Sequence, residues 1–338
     1  MLAAIFQAPG NFELGQKDLR SIGPDEVLLQ VSACGVCGTD IQIIAGKSHA
    51  SPPVILGHEF CGEIIEKGGY VADLKPGDFV AVDPNIVCGR CSFCRRGKIN
   101  LCENLTALGV NIDGGFAEYA LVPQSQCYLL PQDTDVRNAA LLEPLSCALY
   151  GIEKAGVTPG DTVIVIGGGF IGHIMVTLLR MVGAGRLIVL ETDPKRQTSL
   201  RKFGADEVYA IRGTTDEQEL IETTCGGGDV VLECVGSPET VAQALRIAQR
   251  GARVVIFGVS PNDESLPVSP YDIFYRDLTI IGSFINPFTF AKAVDLLAHG
   301  RVDFRNLDIA EFPLSRICGA IENHRQRRSL KTLIRNQR

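Results

Sequence analysis

Cys88, Cys91, Cys94 and Cys102 follow one another as C-x2-C-x2-C-x7-C. Zinc(II) imposes no geometry of its own and accepts four thiolates in a closed tetrahedron, so cysteines this near in sequence can wrap one ion with a short loop. Four sulfurs fill the shell and leave no vacancy for chemistry, so this lobe, spanning about residues 84–104, reads as structural. A second set joins Cys37-Gly38-Thr39-Asp40 to Gly57-His58-Glu59 and to Glu143, which stands just before Pro144. Cys37 lies ahead of a short helical segment beginning near Thr39, where the positive end of the dipole favours a thiolate. His58 offers an imidazole and Glu59 or Glu143 a carboxylate, leaving one position open for substrate or water, as catalytic zinc requires. Each has a plain reading too: a core cysteine, a turn histidine, a helix-start carboxylate, with Thr39 and Asp40 as helix caps.

A third pattern is Gly167-Gly168-Gly169-Phe170-Ile171-Gly172. The spacing G-x-G-x-x-G is weak alone, but here it follows the apolar run Val163–Ile166 and opens a helix from about Phe170, so N–H groups at the helix start can receive a pyrophosphate. Gly167 makes the turn, Gly169 admits the phosphates and Gly172 allows close packing. Glu191, nineteen residues beyond Gly172 and at the end of the next strand, can accept hydrogen bonds from the adenosine ribose. Its charge would repel a 2′-phosphate and so favours NAD over NADP. Arg196 keeps NADP open, or covers the adenine face. A similar fold for another adenosine ligand, such as a methyl donor, is the blander alternative.

The elements that must carry these groups come in two textures. Short β-rich runs such as Glu26–Val31 and Asp78–Val82, separated by Gly and Pro turns, read as a partly open β-barrel. From about Pro144, helix-length segments alternate with apolar runs at 163–166, 187–190, 230–232, 254–257 and 279–281, which implies a parallel sheet covered by helices on both faces. A helical stretch from Thr289 to His299 and a β-rich tail then return the chain to the first domain. The expected division is 1–143 with 287–338, and 144–286.

A length of 338 residues fits two cores better than one, and 46% apolar residues suffice for both. The net charge of −7 gives no footprint for nucleic acid, and Arg325–Arg328 reads as a solvated helix end. A zinc ribbon binding nucleic acid through the cysteine lobe is the reading from another class, but Arg90, Arg95, Arg96 and Lys98 supply little charge for it. The uncharged stretch from Thr162 to Leu179 is interrupted by four glycines and His173, which argues against a membrane span. With no secretion-like N-terminal segment and twelve cysteines better used as ligands and apolar residues than as disulfides, the chain is expected to be cytoplasmic. Cys61, Cys127, Cys147, Cys225, Cys234 and Cys318 are expected to be buried, and His173 to pack rather than catalyse.

Taken in order, Cys37-Gly38-Thr39-Asp40, Gly57-His58-Glu59, the cysteine lobe, Gly114-Gly115-Phe116-Ala117-Glu118-Tyr119, Glu143-Pro144 and the 167–172 loop resemble the zinc-dependent medium-chain dehydrogenases over essentially the whole chain. Glu143 stands where classical alcohol dehydrogenases use a cysteine ligand, so the chain looks most like the sugar-alcohol branch, with its sorbitol, galactitol-phosphate, galactonate and threonine dehydrogenases. The resemblance implies an α/β protein with a GroES-like β-barrel catalytic domain and a doubly wound Rossmann domain, substrate and nicotinamide meeting in the cleft between them, and a homodimer or homotetramer. It implies two zinc ions per subunit and NAD. It makes Cys37 and His58 ligands of the catalytic zinc, with Glu59 and Glu143 sharing the carboxylate role. Thr39 would pass the alcohol proton outward and Asp40 would orient His58. Val235, Gly258, Val259 and Ser283 would join the glycine loop as cofactor contacts, His49 would meet the substrate, Asn286 would bond substrate hydroxyls or the cofactor, and Phe116 would line the substrate pocket or sit in the core.

Two departures stand out. Gln42 occupies the place of a proton-shuttling histidine, leaving proton exit to water or His49, and Ile285-Asn286 replaces the arginine-tyrosine pair of sorbitol dehydrogenase. The implied reaction moves a hydride from a secondary hydroxyl carbon of a small polyol to NAD, the zinc having made that hydroxyl acidic. Threonine or simple-alcohol oxidation are the rivals.

Overall fold

The computed structural model describes residues 1–211 and 213–336. The chain divides into two units, Met1–Ser146 with the segment from Asn286 onward, and Cys147–Ile285.

In the first unit, alternating apolar residues in Glu26–Val36 put Val27, Leu29 and Val31 on one buried face. This strand is the hub of a seven-stranded sheet. On one side it pairs antiparallel with Glu59–Lys67, which leads on to Phe79–Val82 and Cys127–Leu129; on the other it pairs with Lys331–Arg335, itself parallel to Ile309–Pro313. Tyr119–Pro123 joins the same strand along 26–30. A smaller sheet of Leu2–Ala8, Asn11–Gln16 and Val54–Ile55 helps close the barrel core, in which Phe6, Phe60 and Phe116 are buried. Lys331–Arg335 lies antiparallel to the hub with Leu333 opposite Gly35. Glu59 pairs with the same Gly35.

The second unit is built on six parallel strands. Their spatial order is Glu207–Tyr209, Arg186–Leu190, Thr162–Ile166, Gly228–Glu233, Ala248–Ile256, Thr279–Gly282. Numbered along the chain this is 3-2-1-4-5-6, the Rossmann order. Runs such as Thr162–Ile166 and Arg186–Leu190 are apolar nearly throughout because helices cover both faces. The helix Phe170–Val182 buries Ile174, Met175, Leu178 and Leu179, and stops at Gly183, whose φ of 88° satisfies the left-handed cap. Among the described residues no helix is long and apolar enough to cross a membrane.

Candidate metal centres and dinucleotide loop

Cys37 is the N-cap of the helix Gly38–Ile44, where the Asp40 carboxylate reaches back to accept the Cys37 N–H at 2.8 Å. The hub strand delivers Cys37, and Glu59 begins the next strand, so pairing of the two brings both ends together. Ligand atoms of Cys37, His58 and Glu59 lie within 4.8 Å of one another. His58 Nδ1 faces Asp40 Oδ1 at 3.4 Å, and Asp40 is wholly buried. Burial opposes protonation of His58, but Asp40 and Cys37 outweigh it and raise the imidazole well above its usual range. A cation bound there would displace that proton. Thr39 Oγ1 sits 3.7 Å from Cys37 Sγ.

The residue that sequence reasoning missed is Lys331. Its Nζ lies 2.7 Å from Glu59 Oε1 and 2.5 Å from Oε2, with both side chains almost without exposed surface. Burial alone would depress this ammonium, but Glu59, Cys37 and Glu143 together raise it. The only signal in the sequence is a lysine opening the β-favouring run Thr332-Leu333-Ile334. Gly35 makes room for the arrangement, since a Cβ there would meet Glu59 Oε2 at 1.9 Å. Lys331 meets the Glu59 carboxylate while Asp40 faces His58, and the cluster of Cys37, His58 and Glu59 offers a divalent cation sulfur, nitrogen and oxygen donors. The Cys, His and carboxylate donor set is that of a zinc site with an open position.

Glu143 is buried in the first turn of Leu142–Ala155 but stands outside the Cys37–His58–Glu59 triplet. Two of the expected substrate contacts, Phe116 and Asn286, are buried. Phe116 has no exposed surface and packs in the barrel core. Asn286 is also buried, and its amide is used internally: Nδ2 donates to Ser146 Oγ at 2.8 Å and Asp83 Oδ1 at 3.2 Å, and Oδ1 accepts from Asn85 at 2.8 Å. It acts as a strut. His49 is exposed in the loop after Gly38–Ile44.

The sulfurs of Cys88, Cys91, Cys94 and Cys102 also lie within 4.8 Å of one another, and all twelve cysteines are free thiols. The lobe is closed by the two-stranded ladder of Asn85–Ile86 with Thr106–Ala107. Backbone N–H groups of Cys88, Cys91, Cys94 and Asn104 point at sulfur over 3.3–3.5 Å. Such donation pulls Cys88 down to about 6, while partial burial and the neighbouring sulfurs push Cys94 up to about 12. Sulfurs this crowded ionise together only around a cation, so the lobe fits zinc. Two other cysteines differ from expectation. Cys225 and Cys318 are exposed, the first in the left-handed region with φ of 57°, just ahead of Gly226 and Gly227. Cys318 falls opposite the buried face of Ile317, Ala320 and Asn323 on its helix.

In the second unit Gly167 takes φ of 96°, which only glycine adopts without strain. A Cβ on Gly172 would lie 2.1 Å from the Gly167 carbonyl, whereas one on Gly169 would meet nothing within 4 Å. Phe170 and Ile171 open the helix, and Gly169 gives it no side-chain cap. The cradle therefore has backbone donors, open space and the positive end of a helix, which fits a dinucleotide phosphate. Glu191 accepts from Gly168 N–H at 3.1 Å and Asp193 N–H at 2.9 Å, and Arg196 lies 3.7 Å from it. His173 packs as expected: it is buried, bonds the Gly169 carbonyl and Ser199 Oγ, and meets Phe203 edge-on. Val235 and Val259 are exposed, Gly258 packs against Gly236, and Ser283 Oγ is buried without a hydrogen-bond partner among the described residues.

Residues 23–132 match the model of the alcohol dehydrogenase GroES-like domain and 171–299 that of the zinc-binding dehydrogenases. The chain is 33% identical to D-arabinitol dehydrogenase 1 of Uromyces fabae over 99% of its length and 97% of that protein. It is 36% identical to an L-threonine 3-dehydrogenase of Caldanaerobacter subterraneus subsp. tengcongensis over 80% of its own length and 79% of the relative. A zinc-binding dehydrogenase of Sinorhizobium meliloti, crystallised with NADP, superposes with a TM-score of 0.92 at 39% identity, covering 99% and 98% of the two chains. The chain belongs to the zinc-dependent medium-chain dehydrogenases, oxidoreductases of CH–OH groups that use zinc and NAD(P).

Proposed function

We propose that this protein oxidises a secondary hydroxyl of a sugar alcohol or related polyhydroxy compound with NAD, giving the keto product, and runs the reverse reduction. The observation that carries the reading is the meeting of a cysteine sulfur, an imidazole and a carboxylate within 4.8 Å, backed by a buried aspartate and a buried lysine. Bound there, zinc would supply Lewis acidity to the substrate oxygen, and the nicotinamide would accept the hydride. Cys37 and His58 hold the metal with Glu59 or Glu143. Asp40 fixes the His58 ring through Nδ1. Lys331 matches the charge of Glu59 and fixes its carboxylate. The Thr39 hydroxyl, beside Cys37, takes the substrate proton outward. Gly167, Gly169, Gly172 and the first turn at Phe170 and Ile171 bind the pyrophosphate, and Glu191 the ribose hydroxyls. Val235, Gly258, Val259 and Ser283 complete the cofactor wall, and His49, Phe116 and Asn286 are the candidates on the substrate side.

Likeness to an arabinitol dehydrogenase along nearly the full length favours a polyol. Threonine is the second reading, favoured by the higher identity over a shorter span. The Glu191 charge favours NAD, and the relative crystallised with NADP makes the 2′-phosphate the point to test. Free thiols throughout suit the cytoplasm. The edge strand Thr279–Gly282, with Tyr271, Phe274, Tyr275 and Ile280 exposed nearby, supports a homodimer or homotetramer.

The test is a panel of sugar alcohols, sugar acids, threonine and simple alcohols with NAD and NADP, alongside metal analysis. A polyol with NAD should give the highest kcat/KM, and Cys37→Ser should abolish it. Full activity in Cys37→Ser would defeat the catalytic-metal assignment.

A further inference from the structure

Glu233 ends the strand Gly228–Glu233 with no exposed surface. A carboxylate is rarely buried so completely unless its hydrogen bonds are specified. Its Oε1 accepts three of them: Val235 N–H at 2.7 Å, Gly236 N–H at 2.8 Å and Thr240 Oγ1 at 2.8 Å. Its main-chain carbonyl accepts from Phe257 N–H at 3.0 Å and Gly258 N–H at 2.9 Å. One residue therefore fastens the turns that leave two neighbouring strands, Gly228–Glu233 and Ala248–Ile256.

The fit around it is tight. A Cβ on Gly258 would come 2.7 Å from Glu233 Oε2 and 2.2 Å from the Gly236 nitrogen, and one on Gly236 would come 2.6 Å from the Val259 backbone. The fastened turn also reaches the glycine loop, since a Cβ on Gly167 would meet Val235 Cγ2 at 2.6 Å. Val235 and Val259 nonetheless keep 41% and 67% of their surface exposed. Two apolar side chains are thus held out at the carboxyl ends of adjacent parallel strands beside the glycine turn, which is where an open α/β sheet receives its ligand.

We propose that Glu233 is a positioning residue for the nicotinamide dinucleotide: by fixing the Val235–Gly236 turn against Gly167 and joining it to Gly258–Val259, it pre-forms one wall of the cofactor site. The inference rests on the dinucleotide reading above. It concerns a residue that does not itself touch the cofactor. Without the carboxylate three donors lose their acceptor and the turn samples other conformations. If the binding-competent turn falls to roughly a tenth of the population, the apparent Kd rises about tenfold.

The experiment is NADH binding to the zinc-loaded, full-length protein, read by nicotinamide fluorescence, with zinc content and Tm measured on the same samples. Glu233→Ala should weaken NADH about tenfold at unchanged zinc content, and Glu233→Gln, which keeps an acceptor oxygen, should recover to within about threefold. A merely structural role would lower Tm and leave the Kd of the folded fraction alone, and that result overturns the proposal. Should Glu233→Ala fail to fold, Val235→Ala reads the same wall without disturbing the carboxylate; a weakened Kd supports the proposal and an unchanged one overturns it. A wild-type protein that binds neither NADH nor NADPH defeats the dinucleotide reading itself, a different outcome from wild type and Glu233→Ala binding equally well.

Discussion

Replacing Lys331 by methionine removes one charge from an ion pair that is almost wholly out of water, at 4% and 1% side-chain exposure. The Nζ serves both oxygens of Glu59, so the change leaves a carboxylate in the barrel without its counter-charge. Breaking a buried pair from one side costs about 3–5 kcal/mol, because the surviving ion keeps its desolvation penalty. For a folding unit of roughly 150–250 residues each kcal/mol moves Tm by about 2–4 °C, so Lys331→Met should lower the transition by about 6–20 °C. Calorimetry on chelator-treated protein is the cleanest assay, since a bound cation would itself compensate Glu59. The double variant Glu59→Gln/Lys331→Met carries no orphan charge and should regain at least half of the loss, giving a favourable coupling in the double-mutant cycle. A Tm within about 2 °C of wild type for Lys331→Met would refute this account of the pair, and so would a double variant no more stable than the single one.

Cys91→Ser should cost about one zinc per chain by metal analysis while leaving the Cys37 centre loaded, because the two clusters share no ligand. Glu191→Ala should raise the NADP-to-NAD ratio of kcat/KM by roughly ten- to a hundredfold, since it removes a like charge facing the 2′-phosphate and leaves Arg196 in place. Stability should fall with acid. His324 is held down to about 4 by burial and by Lys331, so the unfolded chain binds its proton first as pH drops below about 6.5. The resulting loss, on the order of 1–3 kcal/mol, develops between about pH 6.5 and 4 and levels off below. Buried His173 adds to it in the same direction. Denaturant titrations across that range should show the slope, and His324→Gln should flatten most of it.

What could be read from the sequence was written in short spacings. The cysteine lobe closes within fifteen residues and the glycine loop within six, so each site is encoded by its own segment. The Rossmann strands were equally plain, because strands buried on both faces read as apolar runs. The Lys331 and Glu59 pair spans 272 positions, and only strand register brings the two together. The surroundings of Phe116 and Asn286 were not legible either. Their neighbours in sequence carry a family pattern, but the barrel core and the Asp83–Asn85–Ser146 network decide where those side chains end. Glu233 escaped notice because a glutamate closing an apolar strand looks like a solvated end. The glycines that make room for it, Gly236 and Gly258, are recognisable only from distances.

The strand Lys331–Arg335 lies between the hub strand and Ile309–Pro313. On the ribosome, Cys37, His58 and Glu59 emerge long before that strand is translated, with the entire nucleotide-binding unit made in between. Until it slots in, the hub has an open edge and Glu59 has no ammonium beside it. A nascent chain therefore holds the metal-binding side chains without their final setting until residues 331–335 have been made and paired with the hub strand.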